Sequence, residues 1–186
     1  MSFHEQKILP AAKQIKELER ILESPYACGV LLDTQMSRLG QLYRLIRQTQ
    51  KSMLLHADLI QGLKNDEYAA DYLCQEIRPD GLISTRSSVI MKAKQKGITA
   101  IQRVFMLDTL ALEKSYALLE KTQPDYIEVL PGAMPHMIEE VRLRTGIPVI
   151  AGGLIRSPQQ VEEAIRAGAL AVTTSSRELF QHYLPS

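Results

Sequence analysis

Residues 146–176 read GIPVIAGGLIRSPQQVEEAIRAGALAVTTSS, and they set out one complete strand–helix–strand unit. Pro148-Val-Ile-Ala151 is a short aliphatic run followed at once by Gly152 and Gly153. Ser157-Pro158 marks a helix start, a capping hydroxyl before a proline whose missing N–H is no loss in the first turn. Val161, Ala164 and Ile165 then recur at helical spacing and make one apolar stripe. Gly168 stops the helix, and Ala171–Thr174 is the next β-rich run.

The same rhythm runs the length of the chain. Expected strands are Lys7–Pro10, Tyr26–Leu31, Met53–His56, Gly81–Ser84, Ala100–Phe105, Tyr126–Leu130, Val149–Ala151 and Ala171–Thr174, the first and fourth being poorest in β-formers. Between them lie helical stripes such as Ile15, Leu18, Ile21 and Leu22, or Leu39, Leu42, Tyr43 and Ile46. Asn65, Ser87 or Ser88, and Ser157 stand at helix starts, and Gly97, Gly146 and Gly168 at helix ends. Alternating strands and helices predict parallel βαβ units. Closure is invisible in a sequence, but an open doubly wound sheet needs a reversal of strand order, and eight consecutive units favour a compact (β/α)8 TIM-type barrel with short loops. A length of 186 residues suits one domain, residues 1–186.

Composition narrows the class. Hydrophobic residues make up 45% and charged residues 23%, values of a globular chain rather than a disordered one. The net charge of +1 announces neither nucleic acid nor membrane. No apolar run approaches the roughly 20 residues of a spanning helix, and no leader-like start is present, so a cytoplasmic protein with no membrane partner is expected. Cys28 and Cys74 lie apart in apolar segments and read as buried thiols. No H-x-x-x-H, C-x-x-C or paired-carboxylate pattern appears, so no metal or cofactor is expected.

Gly152 and Gly153 arrive where the seventh strand ends, and glycine lets backbone N–H groups approach an anion closely. The eighth strand ends in Val172-Thr-Thr-Ser-Ser176 before a short terminal helix, whose first turn offers N–H donors and hydroxyls. The loops after strands seven and eight are the recurrent phosphate position of such barrels. Gly152, Gly153, Thr174, Ser175 and Ser176 are therefore the expected phosphate site. A tight turn and a capping serine would explain each half separately.

Other strands also end in polar residues: Asp33, His56 with Asp58, Arg86, Gln102 with Arg103, and Glu128. Alternation along a strand puts His56 and Asp58 on the face of Leu54, and allows only one of Gln102 and Arg103 to face the interior. The plain readings are helix caps for Asp33 and Asp58, a core imidazole for His56 and a snorkelling Arg103. As a ring at the mouth these residues would instead bind a polar ligand. His56, Asp58 and Glu128 could supply acid and base, but no residue is assigned a catalytic role, and Schiff-base chemistry would need a strand-end lysine that is missing from the expected strands.

Several longer stretches are more specific. Leu55-His-Ala-Asp-Leu-Ile-Gln-Gly-Leu63, Asp80-Gly-Leu-Ile-Ser-Thr-Arg-Ser-Ser88, Ala100-Ile-Gln-Arg103, Asp125-Tyr-Ile-Glu-Val-Leu-Pro-Gly132 and Ile150-Ala-Gly-Gly-Leu-Ile-Arg156 with Val172-Thr-Thr-Ser175, taken in order, resemble the glycerol uptake operon antiterminator regulatory protein family over essentially the whole chain. The resemblance implies a response to glycerol 3-phosphate and action on the leader mRNA of a glycerol catabolic operon. On this reading the five phosphate residues hold the effector's phosphate, and His56, Asp58, Arg86, Gln102, Arg103 and Glu128 are candidates for its glycerol end. The alternative is a metabolic barrel enzyme acting on a small phosphorylated polyol or sugar.

For RNA the sequence offers little, with 5% aromatic residues and no stacking motif. Two runs lack acidic residues: Gln35–Lys51, with Arg38, Arg44 and Arg47, and Gly81–Leu107, with Lys92, Lys94 and Lys96. They are either solvated helix faces or contacts to leader-RNA phosphates. How an effector would alter RNA affinity, by ordering residues 58–63 or by changing a homo-oligomer, stays open.

Overall fold

The computed structural model describes Phe3 and residues 5–185. In chain order the elements are β1 (Ile8–Ala12), α1 (Ile15–Glu23), β2 (Cys28–Leu31), β3 (Thr34–Gln35), α2 (Met36–Arg47), β4 (Ser52–His56), β5 (Ile60–Gln61) and α3 (Glu67–Tyr72). They continue with β6 (Gly81–Ser84), α4 (Ser87–Gln95), β7 (Thr99–Phe105), α5 (Thr109–Thr122), β8 (Tyr126–Leu130), α6 (Pro135–Thr145), β9 (Val149–Gly152), α7 (Pro158–Arg166), β10 (Ala169–Thr174) and α8 (Arg177–His182). Eight strands close a parallel barrel in the order β1-β10-β9-β8-β7-β6-β4-β2. The (β/α)8 architecture expected from the alternation is the one observed, the first and fourth expected strands included.

Strand ends differ by small amounts. β1 runs two residues beyond Pro10, to Ala12, because it pairs with β2 through Ala11 and Ala12. The sequence did not foretell β3 and β5, two-residue strands that pair with each other outside the barrel. This ribbon joins the loop after β2 to the loop after β4.

Helix boundaries follow local chemistry. Asp66, rather than Asn65, caps α3 by accepting from Ala69 N, and Ser157 caps α7 by accepting from Gln160 N. Arg86 occupies the cap position of α4, one residue before the expected serines. Gly146 ends α6 in the left-handed conformation at φ 68°, which a side chain disfavours.

Two apolar layers hold the barrel. Between strands and helices lie residues such as Leu18, Ile21, Leu39, Met53, Leu55, Val89, Ile138 and Val161. Each fully buried aliphatic side chain there contributes about 1.5–3 kcal/mol of transfer free energy. Inside the barrel lie Leu9, Val30, Leu54, Ile83, Ile101, Ile150 and Ala171. Two residues further along their strands the inward positions turn polar. Leu54 is followed on its face by His56, Ile101 by Arg103, Tyr126 by Glu128 and Ala171 by Thr173. The apolar plug is thus capped by a polar layer at the C-terminal ends of the strands, the functional face of this architecture.

Candidate functional site

A cavity of about 620 Å³ opens at that end of the barrel. Arg103 and Glu128 line its wall, with Lys13 on the exit of β1, the Gly153–Arg156 loop after β9, and Thr173 to Ser176 after β10. Lys13, Arg103 and Arg156 bring three positive charges and Glu128 one negative, so the lining favours an anion.

Glu128 organises the wall. It is 1% exposed, and its two oxygens are used separately. Oε2 accepts from Arg103 Nε at 2.6 Å, and Oε1 accepts from Thr173 Oγ1 at 2.6 Å. A buried carboxylate is tolerated when charge and hydrogen bonds both compensate it. Arg103 is therefore the inward member of the pair left open by the sequence. Gln102 turns outward, wholly buried, its Nε2 donating to Ser84 O at 3.1 Å, and this placement takes it away from the mouth.

The two glycines after β9 have separate physical reasons. A Cβ on Gly152 would stand 2.8 Å from both Glu128 Oε1 and Thr173 Oγ1. That position is bare to make room for the Glu128–Thr173 pair, a cause that spacing could not reveal. Gly153 faces the cavity at φ +75°, followed by Leu154 at φ 59°. Gly132, on the exit of β8, donates its N–H to Gly152 O at 2.6 Å and Gly153 O at 3.1 Å, which ties this turn in place.

After β10, Thr174 Oγ1 accepts from Ser176 N at 3.1 Å, and Ser176 Oγ accepts from Leu179 N at 3.3 Å as the cap of α8. Both hydroxyls keep their own proton to donate. Ser175 is exposed on the cavity wall. Four of the five expected phosphate residues, Gly153, Thr174, Ser175 and Ser176, line the cavity, and Gly152 lies behind it.

The remaining polar ring divides. His56 is buried and inward, and neither ring nitrogen has a hydrogen-bond partner among the described residues. Burial, and next the Arg103 charge, push its pKa down to about 4. Asp58 accepts from Thr85 N and Thr85 Oγ1, both at 2.7 Å, and from Ser84 Oγ. It clamps the exit of β4 to the exit of β6. Arg86 is exposed at the start of α4, and Asp33 accepts a 3.4 Å contact from Gln61 Nε2. Sequence reasoning missed Lys13, Thr173 and Arg156. Lys13 lies beyond a first strand expected to end at Pro10, while Thr173 and Arg156 sit inside quoted motifs and could have been found by the alternation that selected Glu128.

The acid-free runs are not acid-free in space. Lys96 pairs with Asp71 of α3 at 2.8 Å, and Lys94 contacts Gln123 O and, at 3.3 Å, Asp125. Arg47 donates to Ile77 O at 2.5 Å. Lys92 is half-buried, while Arg38 and Arg44 are exposed. Among the described residues no group of three His, Cys, Asp or Glu side chains could hold a metal ion, and no helix is long and apolar enough to cross a membrane.

A protein-family model described as glycerol-3-phosphate responsive antiterminator matches residues 8–180. The crystal structure of a glycerol uptake operon antiterminator regulatory protein from Listeria monocytogenes is 49% identical with a TM-score of 0.95, over 97% of this chain and 98% of that one. An antiterminator-related protein from Thermotoga maritima is 27% identical with a TM-score of 0.83, over 95% and 98% of the two chains. An uncharacterized Escherichia coli protein, YgcP, is 28% identical over 91% of this chain and 88% of its own length. A deoxyribose phosphate aldolase from Aeropyrum pernix, 17% identical with a TM-score of 0.68 over 91% and 87% of the two chains, shares the fold.

Proposed function

We propose, for a chain that belongs to the glycerol-3-phosphate responsive antiterminator family, that the cavity at the barrel mouth binds glycerol 3-phosphate and that its occupancy governs binding to the leader mRNA of a glycerol catabolic operon. The observation that carries this reading is the lining of the cavity. The exposed turn at Gly153 and Leu154, the hydroxyls of Thr174, Ser175 and Ser176, and the side chains of Lys13, Arg103, Glu128 and Arg156 line it together. The phosphate lies against the turn and the hydroxyls, where backbone amides and cations favour a dianion. The same phosphate engages the outer nitrogens of Arg103, and the glycerol end lies beyond it toward Glu128 and His56. Glu128 is held by Arg103 and Thr173 as a fixed acceptor, an arrangement that suits recognition.

The effector must bind two states of the protein unequally to shift RNA affinity. The test is retention of leader RNA with and without glycerol 3-phosphate, beside a turnover assay on the same sample. Effector-dependent retention without consumption of the effector is expected. Multiple-turnover consumption with no RNA retention would replace this reading with a barrel enzyme acting on a phosphorylated polyol.

A further inference from the structure

His56 is 2% exposed, yet both ring nitrogens lack a partner among the described residues. Native interiors keep few unpaired donors and acceptors, because each carries an uncompensated loss of hydration. The ring ends β4 on the inward face, two residues beyond Leu54 of the barrel interior. Strand register sets His56 level with Ile83 and Ile101, one inward position below Arg103, so the imidazole lies behind the cavity wall that Arg103 and Glu128 form.

Arg103 is only partly engaged. Its Nε donates to Glu128, while Nη1 and Nη2 have no partner among the described residues. A guanidinium fork with both outer nitrogens unpaired, on the wall of a cationic cavity, is matched to a phosphate. With its pKa held to about 4, the ring is neutral at pH 7, and a neutral imidazole carries one donor and one acceptor. That pair suits a hydroxyl, which also donates and accepts.

We propose that His56 is the specificity-determining residue of this site: an anion in the cavity engages the outer nitrogens of Arg103, and the imidazole behind them hydrogen-bonds a hydroxyl of the same ligand. The site thereby selects a phosphorylated polyol over an alkyl phosphate of the same length. The inference rests on the effector reading above, and names the group that reads the polyol.

The test compares binding of glycerol 3-phosphate and propyl phosphate, which lacks both hydroxyls, to the full chain by calorimetry. The wild-type protein prefers glycerol 3-phosphate by about tenfold or more, the worth of one good hydrogen bond. His56→Phe abolishes that preference while melting no lower than wild type, since it removes two unpaired buried polar atoms. His56→Gln, which keeps a donor and an acceptor, restores part of the preference. In the unmodified protein, glycerol 3-phosphate shifts the ¹⁵N resonances of the His56 ring and propyl phosphate does not. A preference that survives His56→Phe, or ring resonances that ignore glycerol 3-phosphate, overturns the inference and leaves the effector reading standing. A wild-type protein that binds neither compound overturns both.

Discussion

Gly152→Ala tests the account of the cavity wall. The added methyl would stand 2.8 Å from Glu128 Oε1 and Thr173 Oγ1, closer than a carbon can approach an oxygen. Glu128 cannot turn aside cheaply, because its other oxygen is bound to Arg103 and the residue is buried. The contact with Thr173 therefore breaks, at about 1.5–3 kcal/mol for a hydrogen bond to a charged group. Overpacking adds about 1–3 kcal/mol. A loss of roughly 2.5–6 kcal/mol is a large share of the roughly 5–15 kcal/mol typical of a folded domain. Urea unfolding reads it directly, and the melting temperature should fall by about 5–24 °C at this chain length. Adding Thr173→Val to the Gly152→Ala variant should then cost little more, since the bond it removes is already gone. Stability of Gly152→Ala within about 0.5 kcal/mol of wild type would refute the reasoning.

Gly40 makes the opposite case. A Cβ there meets nothing within 4 Å in the middle of α2, so Gly40→Ala should stabilise the protein by about 0.5–1 kcal/mol in the same assay. His56 should make the protein acid-sensitive, because below pH 6.5 the unfolded chain takes up a proton that the buried ring refuses until about pH 4. Stability is then complete above pH 6.5 and falls by roughly 3 kcal/mol on the way to pH 4, and urea titrations of His56→Phe should lack that part of the slope. Lys96→Glu should lower the melting temperature by only a few degrees, because an exposed ion pair is screened by solvent and contributes little, and Asp71→Lys in the same chain should restore it.

The barrel was legible because each unit carries its own punctuation. Apolar runs of strand length, helical stripes and stop glycines such as Gly146 and Gly168 are local signals, and local propensity agrees with the final topology. What stayed hidden was set by pairing between distant segments. β3 and β5 are two residues each and exist only because the loops after β2 and β4 run side by side. The sequence could state that one of Gln102 and Arg103 faces inward, but the choice depends on Glu128 and Thr173 of other strands. Gly152 illustrates the same limit, since its neighbours Glu128 and Thr173 lie 24 and 21 residues away. The lysines of α4 read as an unopposed basic run only because Asp71 and Asp125 come from neighbouring elements.

The small ribbon outside the barrel has a mechanical meaning. Backbone pairing of Thr34 with Ile60 and Gln35 with Gln61 joins the stretch that leaves His56 to the first turn of α2. Those two segments are tied main chain to main chain, so a displacement of one is expected to carry the other with it. Their amides should share one opening rate in hydrogen exchange.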